Sequence, residues 1–484
     1  MRSSRRGRRL RPLLDQLDDR CLLSGLTPTQ LADAYGLAGI TFPTSSGSVQ
    51  GNGAGQTIAL IEADHDPTLA SDLHTFDKTY GLPDPRLTVV NQAGTQTNSG
   101  WTQEESLDVE WAHALAPGAN ILVVEAKSQS LSDLLTAVDT ARNTPGVSVV
   151  SMSWGYNEMS NEASYDFHFT TPAGHIGITF VAASGDNGTV TYPATSPNVL
   201  AVGGTTLALS SSGAYQSETA WVGSGGGYSQ FEPEPSYQAA VQQTGQRSTP
   251  DVAFDADPNS GVQVYVTESS GPGGPQGTWT TVGGTSLGSP AWAAIIAIAD
   301  QGRALKGLGS LDGPTQTLPT LYSLPSSDYH TVAAAPFNPF GGGGYGFGAG
   351  GLGLGGLGLG GFGGFGFGFG FNLGFSGSTT TTSSAATANT ETGLGSPVGP
   401  NLVSGLVAST LTTPITTVSG SGSSGTTPPA PVSPTKGPRH PRRPPTRHGR
   451  AVKRTRAHAA THVHRFVPQG TSARKLSARG RRLS

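Results

Sequence analysis

The chain has 484 residues, a formal net charge of -3 and a single cysteine, Cys21. One cysteine excludes an intramolecular disulfide, a CxxC redox motif and a cysteine-rich metal site, and no run of about 18 apolar residues marks a membrane span. The small net charge conceals an acidic body, because residues 21–435 contain seven basic and 29 acidic side chains, which favours an acidic working environment.

Residues 1–28 form a basic leader with seven arginines. The leader lacks the apolar stretch of a standard signal peptide. It resembles a short LxxLxxRxLLS motif found on bacterial proteins that are presumed to be exported. We expect either an export signal, with an extracellular or cell-surface location, or a disordered basic leader.

Short apolar runs then alternate with helical patterns from about residue 26 to residue 304. The predicted strands are 57–63, 120–126, 147–155, 177–186 and 198–205. The predicted crossover helices are 103–115, 130–143 and 161–174. Continuous apolar runs are typical of strands buried on both faces of a parallel sheet. The alternation predicts a doubly wound α/β fold, with sites at the carboxyl ends of the strands.

The helical segment 102–118 carries four carboxylates, Glu104, Glu105, Asp108 and Glu110. Glu104 and Asp108 are four residues apart and lie on one helix face, where two like charges destabilise a helix. The segment is therefore either a solvated acidic surface or a site. We assign Glu105 and Glu110 to the solvated face.

The segment 282–300, VGGTSLGSPAWAAIIAIAD, places Ser286 at the start of a predicted helix. Backbone N–H groups and the helix dipole favour a developing oxyanion there, so Ser286 is a candidate nucleophile. The alternative is an ordinary helix N-cap. His113 is the nearest candidate for a histidine base, but it lies five residues after Asp108 and points elsewhere around the helix.

Low-complexity sequence dominates the C-terminal third. A Gly-rich tract at about 336–388 predicts a disordered, flexible insertion, with self-association through its aromatic residues as the alternative. The tail 411–484 is expected to be disordered. Its last part, 436–484, has 15 Lys and Arg and no acid, so it could bind anionic polymer, nucleic acid or the acidic body.

Several motifs, in order, resemble the sedolisin family of serine-carboxyl peptidases. They are LTPTQLADAYGL (26–37), ExxxD (104–108) followed by ALAPGA (114–119), SMSWG (151–155), AASGDNG (182–188), YPATSPNVLAVGGTTL (192–207), TPDVAFDADP (249–258), GTSxxxP (284–290) and TGLGSP (392–397). The resemblance implies a subtilisin-like α/β fold and a peptidase domain at 29–410 that contains the Gly-rich insertion.

The resemblance also implies roles for individual residues. Ser286 would be the nucleophile, Glu104 its general base, Asp108 the carboxyl that orients Glu104 and shares a proton with it, and Asp186 the oxyanion partner. Glu62 and Trp154 would form the supporting network. A protonated Asp186 and a shared proton both point to activity in acid.

Two features depart from the family. Only about 28 residues precede the domain, where sedolisins usually carry a long prodomain. The family also binds calcium, but Thr331 and Asn389 occupy the two positions where it has aspartates. We therefore expect no cofactor and a calcium site that is lost or very weak.

The expected function is hydrolysis of protein or peptide substrates at acidic pH through an acyl-enzyme, by a monomer. One alternative is a catalytically inactive exported surface or scaffold protein with the same fold. Another is a Ser-His-Asp subtilase, which the missing histidine motif disfavours.

Overall fold

The computed structural model describes residues 25–268, 274–335, 388–411 and 463–464. Within these residues the helices α1 to α7 are Pro28–Ala34, Leu69–Tyr80, Ser99–Leu115, Leu131–Arg142, Thr285–Leu305, Leu318–Ser323 and Gly399–Ala408. The strands β1 to β19 are Thr41–Thr44, Gly47–Gln50, Thr57–Ala63, Leu87–Asn91, Asn120–Ala126, Val147–Met152, Gly155–Asn157, Thr179–Ala183, Thr191–Tyr192, Val199–Leu209, Tyr215–Ala220, Gly227–Pro233, Gln246–Thr249, Val252–Asp255, Val262–Glu268, Gln276–Val282, Tyr329–His330, Ser396–Pro397 and Val463–His464.

The central sheet has the strand order β11-β10-β8-β6-β3-β5-β4, and β14 also pairs with β10. Every pair in it is parallel except β10 with β11. This sheet, with helices on both faces, confirms the predicted subtilisin-like doubly wound α/β fold. An antiparallel hairpin, β15 with β16, packs beside α3.

Two hydrophobic cores cover the two faces of the sheet. Along β3, Ile58 and Leu60 join the core that contains α3 and α5, whereas Ala59 and Ile61 join the core that contains α4. This alternation is the period-two pattern of a strand. Helix α5 is apolar on all sides and almost entirely buried, so it forms the centre of the first core.

The strand predictions for 57–63 and 120–126 match β3 and β5 in both bounds. The helix predicted at 130–143 is also confirmed, as α4, with Ser130 as its N-cap. The helix predicted at 161–174 is wrong, because this connection contains only the 3₁₀ segment Glu162–Phe169. Phe169 of this segment packs against Phe180 of the sheet, whereas Phe167 is exposed.

The basic leader, most of the Gly-rich insertion and most of the basic tail lie outside the described residues. The predictions for these segments therefore stay predictions. Among the described residues, no helix combines the length and the apolar character that a membrane crossing requires.

Candidate active site

The sheet presents two buried glutamates to the layer formed by α3 and α5. Glu62 has the same parity along β3 as Ile58 and Leu60, so it faces the core that contains these helices. Glu125 stands near the end of β5, and the parallel register pairs it directly with Glu62. Both residues are fully buried. Two neighbouring strands therefore hold two carboxyls side by side beneath the helix layer.

Helix α3 brings four more carboxyls to this end of the sheet. Asn98 caps its first turn through its side chain. Glu104, Glu105, Asp108 and Glu110 are all buried, because α3 packs against α2, α5, β3 and β15. The prediction that Glu105 and Glu110 lie on a solvated face is therefore wrong.

Asp108 of α3 meets Glu62 of β3, carboxyl to carboxyl. Two carboxyls can form a hydrogen bond only when one of them holds a proton. Burial raises the pKa of Asp108 to about 8. The pKa of Glu62 is raised well above its usual range. Burial is the largest cause, and the nearby carboxyls of Asp108, Glu105 and Glu104 add to it. A proton on one of these two carboxyls would therefore allow a hydrogen bond between Glu62 and Asp108.

Ser286 lies in the first turn of α5, two residues after the N-cap position, which Gly284 occupies. Ser286 is therefore not the capping residue. Its side chain is buried, and its Oγ has no hydrogen-bond partner among the described residues. Because α5 packs against α3, Ser286 lies on the helix that adjoins Glu104 and Asp108.

Ser153 connects Asp108 with the backbone of Ser286. Its Oγ lies 2.7 Å from Asp108 Oδ2 and 3.2 Å from the carbonyl oxygen of Ser286. In a regular helix this carbonyl would accept from the N–H four residues later, but that residue is Pro290, which has none. Pro290 thus leaves the carbonyl available to Ser153. Sequence analysis missed Ser153, although it precedes Trp154 in the SMSWG motif.

Asp186 follows β8 and reaches the start of α5. Its Oδ1 accepts hydrogen bonds from the backbone N–H and the hydroxyl of Thr285, both at 2.8 Å. Burial raises the pKa of Asp186 to about 6, and the two bonds from Thr285 oppose that rise. Its Oδ2 has no partner in the described part of the chain. A protonated Asp186 can therefore donate from this oxygen beside the first turn of α5.

Gly284 allows this approach of Asp186. A Cβ at residue 284 would lie 2.7 Å from Asp186 Oδ2, and the backbone has φ +120°. Both observations require glycine at this position.

Trp154 is buried on the opposite face of the sheet from α5, and its ring makes an edge contact with Tyr156. Tyr156 also lines a surface cavity of about 580 Å³ with Leu131, Met159 and His168. The short segment after β6 therefore runs from Ser153, which contacts α3 and α5, to Tyr156, which lines the open cavity.

His113 is engaged away from Ser286. Its Nε2 lies 2.8 Å from the carbonyl oxygen of Pro83 and 3.4 Å from Asp77 Oδ1. Burial lowers the pKa of His113 to about 4, so the imidazole is neutral near pH 7. Its Nδ1 has no hydrogen-bond partner among the described residues, and the contacts of Nε2 with Pro83 and Asp77 do not involve Ser286.

The two family calcium positions, Thr331 and Asn389, line one cavity of about 260 Å³. Asn389 Oδ1 already accepts from the N–H groups of Glu391 and Thr392, both at 2.8 Å. A hydroxyl and an engaged amide fit a calcium ion poorly, because Ca²⁺ prefers several carboxylate and carbonyl oxygens. Among the described residues, no group of three or more His, Cys, Asp or Glu could hold a metal ion.

Comparisons with known proteins show which proteins the chain resembles. Residues 88–308 match the Subtilase family. The chain is 34% identical over 343 residues to kumamolisin from Bacillus sp. (strain MN-32), covering 63% of this chain and 56% of kumamolisin. It is 29% identical over 285 residues to sedolisin from Pseudomonas sp. (strain 101), covering 50% of this chain and 46% of sedolisin. The chain thus spans about half the length of these two relatives.

A solved structure resembles the fold as well. The Pseudomonas sedolisin, a serine-carboxyl proteinase solved with two molecules of pseudo-iodotyrostatin, superposes with a TM-score of 0.59 at 26% identity. The superposition covers 78% of this chain and 97% of the sedolisin chain.

Proposed function

We propose that the chain is a member of the sedolisin family and a serine-carboxyl endopeptidase that hydrolyses peptide bonds at acidic pH. One observation carries the proposal: a buried serine without a hydrogen-bond partner on Oγ lies on the helix that packs against Glu104 and Asp108. The kinship with kumamolisin and with the serine-carboxyl proteinase sedolisin supports it.

In the proposed reaction, Ser286 Oγ forms a bond to the carbonyl carbon of the substrate while its proton passes to Glu104. A protonated Asp186 donates a hydrogen bond to the developing oxyanion. The C–N bond then breaks, and the leaving amine takes the proton from Glu104. Water attacks the acyl-enzyme by the reverse transfers and restores Ser286.

The carboxyl pair has a separate task in this scheme. Asp108 lies one turn after Glu104, and in this scheme it shares a proton with Glu62. A pair that keeps this proton carries one negative charge instead of two beside Glu104, so Glu104 can be ionised as a base at lower electrostatic cost. This division of roles requires that the site work below the pH at which the pair loses its proton.

A second candidate is the catalytically inactive surface or scaffold protein. It is favoured by the complete burial of Ser286, since a substrate can reach Oγ only after the covering residues move. Three further proposals hold for either candidate function. The protein is extracellular or at the cell surface, it is a monomer, and its basic tail binds anionic polymer. Protein and peptide substrates belong to the first candidate alone.

The test is cleavage of a denatured protein by the purified full chain from about pH 3 to pH 8. Ser286→Ala and Glu104→Gln should each abolish cleavage. Glu110→Gln is the matched control, because Glu110 is equally buried on α3 but accepts its hydrogen bond from Tyr265 N–H. A folded wild-type chain that cleaves nothing would support the scaffold candidate. A rate that rises toward neutral pH would support histidine chemistry.

A further inference from the structure

Strand β7 is paired along both of its edges. On one edge β9 is antiparallel to it, with Tyr156 opposite Tyr192. On the other edge lies β19, which comes from the basic tail, so the order of this small sheet is β19-β7-β9. The antiparallel register places Val463 opposite Tyr156 and His464 opposite Gly155. A segment of the tail thus adds a third strand to two strands of the folded domain.

The edge of β7 that β19 occupies leads to the proposed nucleophile. Gly155, which pairs with His464, is two residues after Ser153, and the Ser153 hydroxyl lies 3.2 Å from the Ser286 carbonyl oxygen. Because β19 is antiparallel to β7, its carboxyl end points toward Ser153. The carbonyl that a nucleophile attacks belongs to the residue before the scissile bond, so the acyl part of a substrate also approaches with its carboxyl end first. Strand β19 therefore has the direction that this part of a substrate needs, and pairing with a strand edge is a common mode of peptide binding.

Charge favours the binding of the basic tail to this part of the domain. Residues 436–484 contain 15 Lys and Arg and no acid, whereas the acidic body contains 29 acidic and seven basic side chains. Two of these acids adjoin the small sheet. Glu158 follows β7 directly, and Asp166 accepts a hydrogen bond from the hydroxyl of Tyr192 on β9 at 3.3 Å. Opposite net charges attract the tail to the body before any strand pairing forms.

The length of the connection allows β19 to come from the same chain. Residues 412–462 join it to the domain, and a chain of that length extends up to on the order of 150 Å. A domain of this size is about 50 Å across. The tail can therefore reach β7 of its own molecule, and binding within one molecule does not depend on the protein concentration.

We propose that β19 occupies, within its own chain, the edge of β7 on which the acyl part of a peptide substrate binds, so that the tail competes with the substrate. The pairing of β19 with β7 is independent of the catalytic chemistry. The competition rests on the proposed function of Ser286. Release of β19 from β7 frees this edge for an extended peptide.

Hydrogen exchange of the β7 amides in the full chain tests the pairing. The double variant Val463→Pro/His464→Pro lacks both N–H groups of β19, and proline is unfavourable in a paired strand. A fragment that contains β7 should exchange about tenfold faster in this variant than in the wild type. The control Ser472→Pro/Ala473→Pro places two prolines in the same tail outside β19 and should leave the exchange unchanged. Equal exchange in the wild type and in Val463→Pro/His464→Pro would overturn the proposal.

A synthetic peptide provides the converse measurement. The peptide AATHVHRFVP, residues 459–468, should restore slow exchange of β7 when it is added to Val463→Pro/His464→Pro. The same peptide with both prolines should not restore it. In the wild type, slow exchange should not depend on the protein concentration, because β19 and β7 belong to one chain. Faster exchange on dilution would assign β19 to a second copy of the chain and overturn the proposal.

Steady-state cleavage of a peptide separates the pairing from the competition. Val463→Pro/His464→Pro should lower KM about tenfold and leave kcat unchanged, because the wild-type tail covers the binding edge in most molecules. The control Ser472→Pro/Ala473→Pro should keep the wild-type KM. Faster exchange together with an unchanged KM would overturn the proposed competition. Faster exchange in a chain that cleaves nothing would confirm the pairing and refute the proposed function.

Discussion

The hydroxyl of Ser153 lies 2.7 Å from Oδ2 of Asp108. The same hydroxyl is 3.2 Å from the Ser286 carbonyl oxygen, but it has a single proton to donate. When Asp108 carries a proton on Oδ2, Ser153 can accept from it and donate to Ser286. When Asp108 is ionised, Ser153 donates to Asp108 and the carbonyl loses this donor. Protonation of Asp108 is thus linked to the backbone of Ser286, the proposed nucleophile.

This relationship predicts that Ser153→Ala lowers kcat about 10- to 100-fold, the value of a hydrogen bond to a charged group. KM should change little, because the lost contacts are internal. The measurement is steady-state cleavage of a peptide at acidic pH. Ser151→Ala is the control, because it removes a buried hydroxyl that bonds Ser289 at 2.8 Å instead of Asp108. Equal losses in the two variants would contradict a specific role.

Asp186 should set the upper pH limit of the reaction. Its pKa is raised to about 6, so the protonated fraction that can donate to an oxyanion falls as the pH rises through that value. An amide donates at every pH, and Asp186→Asn should therefore retain part of the activity and lose the decline near pH 6. Asp186→Ala should lose activity at all pH values. An unchanged upper limit in Asp186→Asn would assign the decline to another group.

Stability should fall as the pH rises from about 4 to about 8. Burial raises the pKa of Asp77 to about 7, and those of Glu232 and Asp108 to about 8. A carboxyl with a raised pKa binds its proton more tightly when folded, so its contribution is complete in acid and is lost as the pH approaches the folded value. A tenfold difference in proton affinity between the folded and the unfolded chain corresponds to about 1.4 kcal/mol.

Urea unfolding at several pH values measures this dependence. Glu232→Gln should flatten this pH dependence, because the amide cannot ionise. Glu232 also lies outside the proposed catalytic site. A free energy of unfolding that rises between pH 4 and pH 8 would show that other groups dominate.

Calcium should bind the chain weakly or not at all. Titration calorimetry with micromolar Ca²⁺ is expected to show no saturable heat, because Thr331 and Asn389 supply no carboxylate. The double variant Thr331→Asp and Asn389→Asp should gain affinity if these positions alone account for the loss. Micromolar binding by the unmodified chain would refute the prediction.

The central strands could be predicted from sequence because each is a continuous apolar run bounded by turn residues, as at 57–63. The helix prediction for 161–174 fails because the spacing of its apolar residues fits a helix as well as it fits a 3₁₀ connection that packs aromatic rings. The local sequence pattern does not distinguish a helix from a 3₁₀ connection when tertiary packing decides which of them forms.

The candidate site was likewise predicted only in part. Motif spacing is enough to propose Ser286, Glu104, Asp108 and Asp186. It assigns Glu105 to solvent, because the burial of α3 depends on α5 and the β15–β16 hairpin, which lie more than 100 residues later in the chain. Sequence analysis also missed the buried Glu125, although a glutamate near the end of the apolar run 120–126 is a polar residue where burial is already expected.

The burial of α5 from Thr285 to Arg303 has a consequence for how the chain would lose function. Amide hydrogens in the centre of this helix should exchange with solvent only when the whole domain opens, because no smaller opening exposes them. Ser286 sits at the end of that same helix. Heat or denaturant should therefore inactivate the molecule in one step with global unfolding, and no partly active species should accumulate before it.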